Sequence, residues 1–284
     1  MKVKKTCIFI TAFLAALVLL SAFITFSRKS MSFGEKVALV RVEGPILEAK
    51  SVVDEIKEYT KDPSIKAILL RVNSPGGGVV PSQEIYGEVR RAVAVKKVVV
   101  SMGSVAASGG YYISAPANRI IANPGTITGS IGVIMEVPNI KGLMDKLGVK
   151  SEVVKSGRHK DLASIFRGIG NEERAILQGV MDDVHEQFIS AVAEGRRLPV
   201  EEVRKIADGR IFSGRQAVKA GLVDATGDLE FALKETAKIA GIKGEPEVVT
   251  KKDKSPILDL LSGRIPESLL KIIPKMELKY IYTQ

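Results

Sequence analysis

Four short segments combine residue types that can do chemistry. Arg71-Val72-Asn73-Ser74-Pro75-Gly76-Gly77-Gly78 follows an apolar run. Successive glycines are conformationally expensive unless the backbone must take φ > 0 or approach something closely. Pro75 removes an N–H and stiffens the turn. The segment is either a tight strand-to-helix turn or a loop whose N–H groups hold an oxyanion. Neither the eight-residue phosphate loop nor G-x-G-x-x-G is present, so phosphate binding lacks its usual partners. The second segment is Ser104-Val105-Ala106-Ala107-Ser108-Gly109-Gly110-Tyr111-Tyr112. A helix normally avoids glycine, at about 1 kcal/mol each relative to alanine. One reading is a small-residue helix packed tightly on a sheet. The other puts Ser108 at a helix start with its hydroxyl exposed as a nucleophile. The N–H of Gly109 would then face a carbonyl that develops negative charge. G-x-S-x-G is absent, so this is not the α/β-hydrolase elbow.

A serine hydroxyl needs a base. In Thr126-Ile127-Thr128-Gly129-Ser130-Ile131-Gly132-Val133, Ser130 is either a hydroxyl facing a neighbouring strand or one that orients the base. In Lys155-Ser156-Gly157-Arg158-His159-Lys160-Asp161-Leu162, the candidate bases are Lys160 and His159, against the reading of a solvated loop. A lysine base must be neutral near pH 7. From a reference pKa of about 10.4 that requires a lowering of roughly 3, or about 4–5 kcal/mol, supplied chiefly by desolvation. Lys160 is therefore expected in a buried, apolar site, with Asp161 turned away from it. Arg158 and His185 are read as solvated, His185 on the polar face of a long helix. Tyr111 and Tyr112 are read as packing residues.

The elements that must position these groups alternate. Strands are expected at Val37–Val42, Ala67–Val72, Val98–Met102, Arg119–Ala122, Ser130–Met135 and Glu152–Val154. Helices are expected at Ser51–Tyr59, Ser82–Val93, Val105–Ala115 and Ile140–Leu147. Continuous apolar strands separated by helices imply a buried parallel sheet, hence an α/β fold. The chain then turns helical over Asn171–Ala193, with Ile176, Val180, Val184, Phe188 and Val192 spaced by four. Val200–Ala207, Gly214–Ala220 and Leu229–Ala240 follow as helices. Gly241–Ser255 reads as a polar linker, and Pro256–Gln284 as a C-terminal extension.

Composition narrows the classes. The 284 residues are 45% hydrophobic and 26% charged, as in globular proteins. One Cys and two His exclude a disulfide scaffold and a thiolate or His-rich metal site. Of the net charge of +10, five basic residues lie within 1–31 with no acid, leaving 37 basic against 32 acidic elsewhere. With no interleaved aromatic platform, this argues against nucleic-acid binding. Lys2, Lys4 and Lys5 precede Thr6–Phe26, an uncharged apolar run of 21 residues closed by Arg28 and Lys29. As a helix it is about 31 Å long, enough to cross a hydrocarbon core of about 30 Å. Its bulky exit lacks the small residues of a cleavage site, so it reads as an uncleaved anchor. More basic residues precede than follow it, which places the N-terminus in the cytoplasm and the remainder on the extracytoplasmic side.

Together the four segments resemble the signal peptide peptidase A family of Ser-Lys proteases. The likeness rests on Ser-Pro-Gly-Gly-Gly, Ala-Ala-Ser-Gly-Gly-Tyr-Tyr, Thr-Gly-Ser-Ile-Gly-Val and Ser-Gly-x-x-Lys-Asp, in that order, with 52 residues from Ser108 to Lys160. It runs from about Val37 to about Gly227 and includes Ile206–Ala217. The resemblance implies a Clp protease/crotonase-like fold of stacked β-β-α units behind one N-terminal transmembrane helix. It divides the chain into an anchor (1–30), a protease domain (31–243) and a linker with C-terminal extension (244–284). It implies that Ser108 is the nucleophile, Lys160 the general base and acid, and Ser130 the residue that orients the lysine. Gly109 and Gly77, or Gly76, supply the oxyanion-hole N–H groups. No metal or organic cofactor is expected. The implied substrates are cleaved signal peptides or other membrane-associated apolar peptides. The implied assembly is a ring-forming homo-oligomer in which Ser108 meets a neighbour's Lys160. Three rivals stand beside this: an acyl-CoA enzyme of the crotonase type, an anchored scaffold with a vestigial dyad, and a protease that cleaves a stomatin-like partner.

Overall fold

The structure is a computed structural model that describes residues 35–251 and the backbone of residues 279–281. The apolar run at Thr6–Phe26 lies outside the described residues, and among these no helix is long and apolar enough to cross a membrane.

The centre is a sheet built on three long parallel strands, β1 (Lys36–Glu43), β2 (Ile65–Ser74) and β4 (Lys97–Ala107). Their side chains alternate between two apolar layers. Ala38, Val40, Ile68, Leu70, Val98 and Val100 face the larger core, while Val37, Leu39, Ala67, Leu69 and Val99 face a smaller one. A strand buried on both faces must be apolar throughout, which is why these segments read as continuous runs. The larger core is closed by α1 (Lys50–Lys61), α2 (Val79–Val93), α3 (Gly109–Ser114) and the C-terminal half of α5 (Asn171–Arg196), and the smaller by α8 (Leu229–Ile239). A three-residue strand β3 (Gly76–Gly78) links β2 to α2.

Strand β4 is where the sheet forks. Its first half, Val99–Met102, pairs with β5 (Arg119–Ala122), which pairs with β8 (Ala225–Thr226). Its second half, Val105–Ala107, pairs with β6 (Ile127–Gly129), which runs antiparallel to β7 (Ile211–Ser213). The fork sits at Gly103, where a Cβ would lie 2.8 Å from the side chain of Asn73. The remaining helices are α4 (Lys141–Leu147), α6 (Val200–Ile206) and α7 (Gly214–Lys219).

The structure corrects several expected elements. Val105–Ala107 is strand, and the helix begins only at Gly109. Pairing with β6 outweighs the small-residue helix pattern, as tertiary context commonly does. Ser130–Met135 is not a strand, because the pairing with β4 uses Ile127–Gly129 and ends where Ser130 takes φ 52°. Glu152–Val154 is exposed and, among the described residues, pairs with no strand. Helix α5 holds its apolar spacing of four, but only Val184, Phe188 and Val192 reach the core; Ile176 and Val180 are 41% and 44% exposed. Within the stretch read as a linker, Glu247–Val249 forms β9, parallel to β1.

Candidate active site

Ser108 stands at the junction of β4 and α3, as the residue before the first helical turn. Its φ of 52° and ψ of −117° are unfavourable for a side chain with a Cβ, at about 1–3 kcal/mol. The surroundings hold it there. Its N–H donates to the Gly129 carbonyl at 2.8 Å, and its carbonyl accepts the Tyr112 N–H at 2.8 Å. Tyr111 anchors the helix by donating its hydroxyl to the Leu222 carbonyl at 2.9 Å. Tyr112 packs between Tyr86 and Phe188, with ring centroids 4.8 and 4.9 Å away. Both tyrosines pack as expected, and burial pushes the Tyr112 hydroxyl up to about 12. Ser108 itself is only 1% exposed in the single chain, against the expected exposed hydroxyl.

The second hydroxyl arrives through strand register. Ala107 is paired with Gly129, so Ser108 and Ser130 each follow directly on neighbouring parallel strands, spaced about 4.8 Å apart. Ser130 also has a positive φ, 52°, and Gly129 before it takes 79°. A Cβ on Gly129 would lie 2.6 Å from the Phe212 ring. The Ser130 N–H donates to the Arg210 carbonyl at 2.8 Å, and the Gly209 N–H to the Ile131 carbonyl at 3.1 Å. The buried hydroxyls of Thr126 and Thr128 donate to the carbonyls of Gly103 and Ala106 at 2.7 and 2.6 Å, tying the segment to β4. The Asp208–Ser213 stretch is thus a clamp on Ser130. It lies within the Ile206–Ala217 motif, but its clamping role was missed, because it depends on the non-local pairing of β6 and β7.

The glycine segment faces the same region. Gly76 and Gly78 exchange bonds with Ile46: the Ile46 N–H donates to the Gly76 carbonyl and the Gly78 N–H to the Ile46 carbonyl, both at 2.8 Å. A Cβ on Gly77 would lie 2.1 Å from the Ile46 carbonyl oxygen, so only glycine fits. The Gly76 N–H is held by the Ser74 hydroxyl at 3.1 Å. Alternation along an extended strand then turns the Gly77 N–H to the opposite edge. A short strand β10 (Lys279–Ile281) pairs antiparallel along β3, with Tyr280 opposite Gly77.

Lys160 is not part of this cluster. It lies in an irregular stretch between α4 and α5 and is exposed, contrary to the expected burial. Among the described residues no hydrogen bond joins it to Ser108 or Ser130. Asp161 is turned away as expected, paired with Lys155 and with Arg167 at 2.9 Å. Arg167, and after it Lys155, hold the Asp161 carboxyl well below the usual carboxylate range. Arg167 also binds Glu173, bringing that carboxyl down to about 2, with help from the Gly170 N–H. His159 lies 3.6 Å from Glu172 at the surface. Helix α4 and this stretch together carry an exposed apolar set that includes Leu143, Leu147, Val149, Val153, Val154 and Phe166.

Beside Ser130 is a cavity of about 460 Å³ lined by Ser130, Val133, Ile134, Met181, Asp182, His185 and Asp208 among others. His185 is not solvated as expected: its Nε2 is shut from solvent and has no hydrogen-bond partner among the described residues. Among the described residues no group of three His, Cys, Asp or Glu is placed to hold a metal ion.

The family model described as Peptidase family S49 matches residues 90–243. A candidate protease of Synechocystis sp. is 44% identical over 81% of this chain and 83% of its own length. Protease 4 of Salmonella typhi is 34% identical over 85% of this chain and 40% of its own length. The chloroplastic serine protease SPPA of Arabidopsis thaliana is 31% identical over 80% and 35%. The chain spans less than half the length of the last two.

Proposed function

We propose a role for each of these residues on the premise that the chain belongs to peptidase family S49 and is a serine-type peptidase. In this reading it is a membrane-anchored Ser-Lys endopeptidase with Ser108 as nucleophile. The observation that carries it is the β4–β6 register, which sets Ser108 beside Ser130 with both at φ 52°. A nucleophile at the start of a helix has the following N–H, from Gly109, aimed at the atom it attacks. Gly77 supplies the second donor, since the amides of Gly76 and Gly78 are held by Ser74 and Ile46, while Gly77 faces the edge along which residues 279–281 lie and where a substrate would take their place. The parallel sheet with helices stacked on it supports the Clp protease/crotonase-like architecture of repeated β-β-α units.

The base is Lys160 of a second copy. A lysine base needs desolvation, and an exposed side chain on an exposed apolar arm obtains it by packing on another subunit. The partly exposed Ile176 and Val180 and the cavity beside Ser130 are the surfaces such an arm would cover. The neutral Lys160 amine takes the Ser108 Oγ proton as Oγ attacks the peptide carbonyl. Ser130 hydrogen-bonds the amine and aims it. The Gly109 and Gly77 N–H groups bind the oxyanion, where loss of one donor costs about 10²–10³ in rate. The lysine ammonium then protonates the leaving amine, and water releases the acyl group from Ser108 by the reverse transfers.

The substrate is an extended apolar peptide. Strand β3 accepts such a strand, since residues 279–281 already lie antiparallel along it. Cleaved signal peptides fit this chemistry, as do other membrane-associated peptides. The division into anchor (1–30), protease domain (31–243) and extension (244–284), with the protease domain outside the cytoplasmic membrane, belongs to the same proposal. No cofactor enters the mechanism.

The test is complementation with the full chain in detergent, assayed on an apolar fluorogenic peptide. Ser108→Ala and Lys160→Ala are each expected to be inactive alone. Mixed and reassembled, they recover activity, because some sites pair an intact Ser108 with an intact Lys160. Full activity in Lys160→Ala overturns the assignment and moves the base to His159. Inactive single variants with no recovery on mixing place both groups in one chain.

A further inference from the structure

We propose that Ser74 is a positioning residue that sets the spacing between the two oxyanion donors. The inference rests on the reading of Gly77 and Gly109 as those donors. These amides come from different parts of the chain, one in β3 and the other at the start of α3, and no local turn fixes the distance between them. Useful electrostatic stabilisation requires such a constellation to be held within about 0.5 Å. Ser74 touches both halves. It ends β2, is fully buried, and accepts the Gly76 N–H on its hydroxyl across Pro75 at 3.1 Å. That bond closes the turn in which Gly76 takes φ 98°, and so fixes which way the next amide, Gly77, points. On its other side the Ser74 carbonyl lies against α3. A Cβ on Gly110 would be 2.7 Å from that oxygen and 3.5 Å from the Ser74 Cβ. The first turn of the nucleophile helix therefore rests on the backbone of the residue whose side chain aims the opposing donor.

The register supports this. Pairing of β2 with β4 shifts between Val72 and Ser74, so that Ser74 stands opposite Ala106, two residues before Ser108. Ser74 thus joins the nucleophile strand, the nucleophile helix and the glycine strand at one point. Without its hydroxyl the buried Gly76 N–H has no acceptor, and the turn relaxes to find one.

The experiment compares Ser74→Thr and Ser74→Val in the full chain. The two side chains have nearly the same shape and differ by the hydroxyl, so disturbance from bulk is common to both. Rates are normalised to sites titrated by a peptide boronate. Ser74→Thr is expected to turn over at least 10-fold faster per folded site than Ser74→Val, with KM values within about 2-fold. Affinity for the boronate falls in parallel with kcat in Ser74→Val. Equal kcat for the two variants, or a difference confined to KM or to the folded fraction, overturns the proposal. Should neither fold, the same two readouts are taken on Ser74→Ala, whose smaller side chain cannot clash; wild-type kcat there also overturns it. Failure of the underlying reading looks different: the wild type is then inactive, or its activity survives Ser108→Ala.

Discussion

The Ser108 region and the Lys160 region are built in opposite ways. Around Ser108 the backbone is tied down, with the Ser108 N–H on Gly129, the Ser108 carbonyl on Tyr112 and the Ser130 N–H on Arg210. Two serines are held at positive φ, and a Cβ on Gly77, Gly110 or Gly129 would collide with a neighbour. Around Lys160 the backbone is irregular, most large apolar side chains face outward although Ala163 is buried at φ 60°, and a Cβ on Gly157 or Gly168 would meet nothing within 4 Å. The first region is finished by its own chain. The second has a local clamp, Arg167 between Asp161 and Glu173, but among the described residues its large apolar side chains are mostly left exposed. A site that needs a preorganised, strained nucleophile and a desolvated base draws them from regions with these two characters.

The sharpest break of that comparison is at the two residues proposed to react. Ser108→Gly abolishes peptide hydrolysis yet raises stability by about 1 kcal/mol, because glycine relieves the positive φ. Lys160→Met abolishes hydrolysis with the melting temperature of the separated subunit unchanged. Calorimetry alongside the peptide assay checks both; a destabilised Ser108→Gly would remove strain from the account of that region.

Next comes helix α5, where one spacing pattern crosses both regions. Phe188→Ala, at a fully buried position, costs about 3–5 kcal/mol by chemical denaturation. Ile176→Ser leaves the subunit within about 0.5 kcal/mol but lowers the assembled mass, read by sedimentation velocity. Unchanged mass would free this face of any role in assembly.

A smaller contrast lies in the glycines. Gly110→Ala forces a Cβ against the Ser74 carbonyl and costs about 1–3 kcal/mol, whereas Gly157→Ala is neutral within about 0.5 kcal/mol. Equal denaturation midpoints would mean that α3 is free to shift.

The smallest effect concerns the arm's clamp. Carboxylates held below their ordinary range contribute stability above the ordinary value and lose it as pH falls through the lowered one. With Glu173 at about 2, the Arg167 clamp is intact above pH 4 and loosens between about 4 and 2. Hydrogen exchange over residues 155–173, corrected for the intrinsic rate, should accelerate in that window while β4 stays protected.

The strands at Val37–Val42, Ala67–Val72 and Val98–Met102 were legible because burial on both faces leaves an uninterrupted apolar signature. Ser108, Ser130, Gly77 and Lys160 stood out as candidates because their neighbours form short motifs of unusual composition. The clamp at Asp208–Ser213 and the role proposed for Ser74 were not legible. A lone serine beside Pro75 and an arginine carbonyl carry no local signal, and both act through residues distant in sequence.

What the sequence by itself determined is the family the chain resembles and a set of candidate reactive groups in order, since these depend on side-chain type and local backbone permissiveness. Only the tertiary structure decided that Val105–Ala107 stays extended, that Ser108 is buried beside Ser130, and that Lys160 stands apart in the single chain. Each of those outcomes follows from pairing or burial between segments far apart in sequence, where the free energy resides in the contact and not in either segment alone.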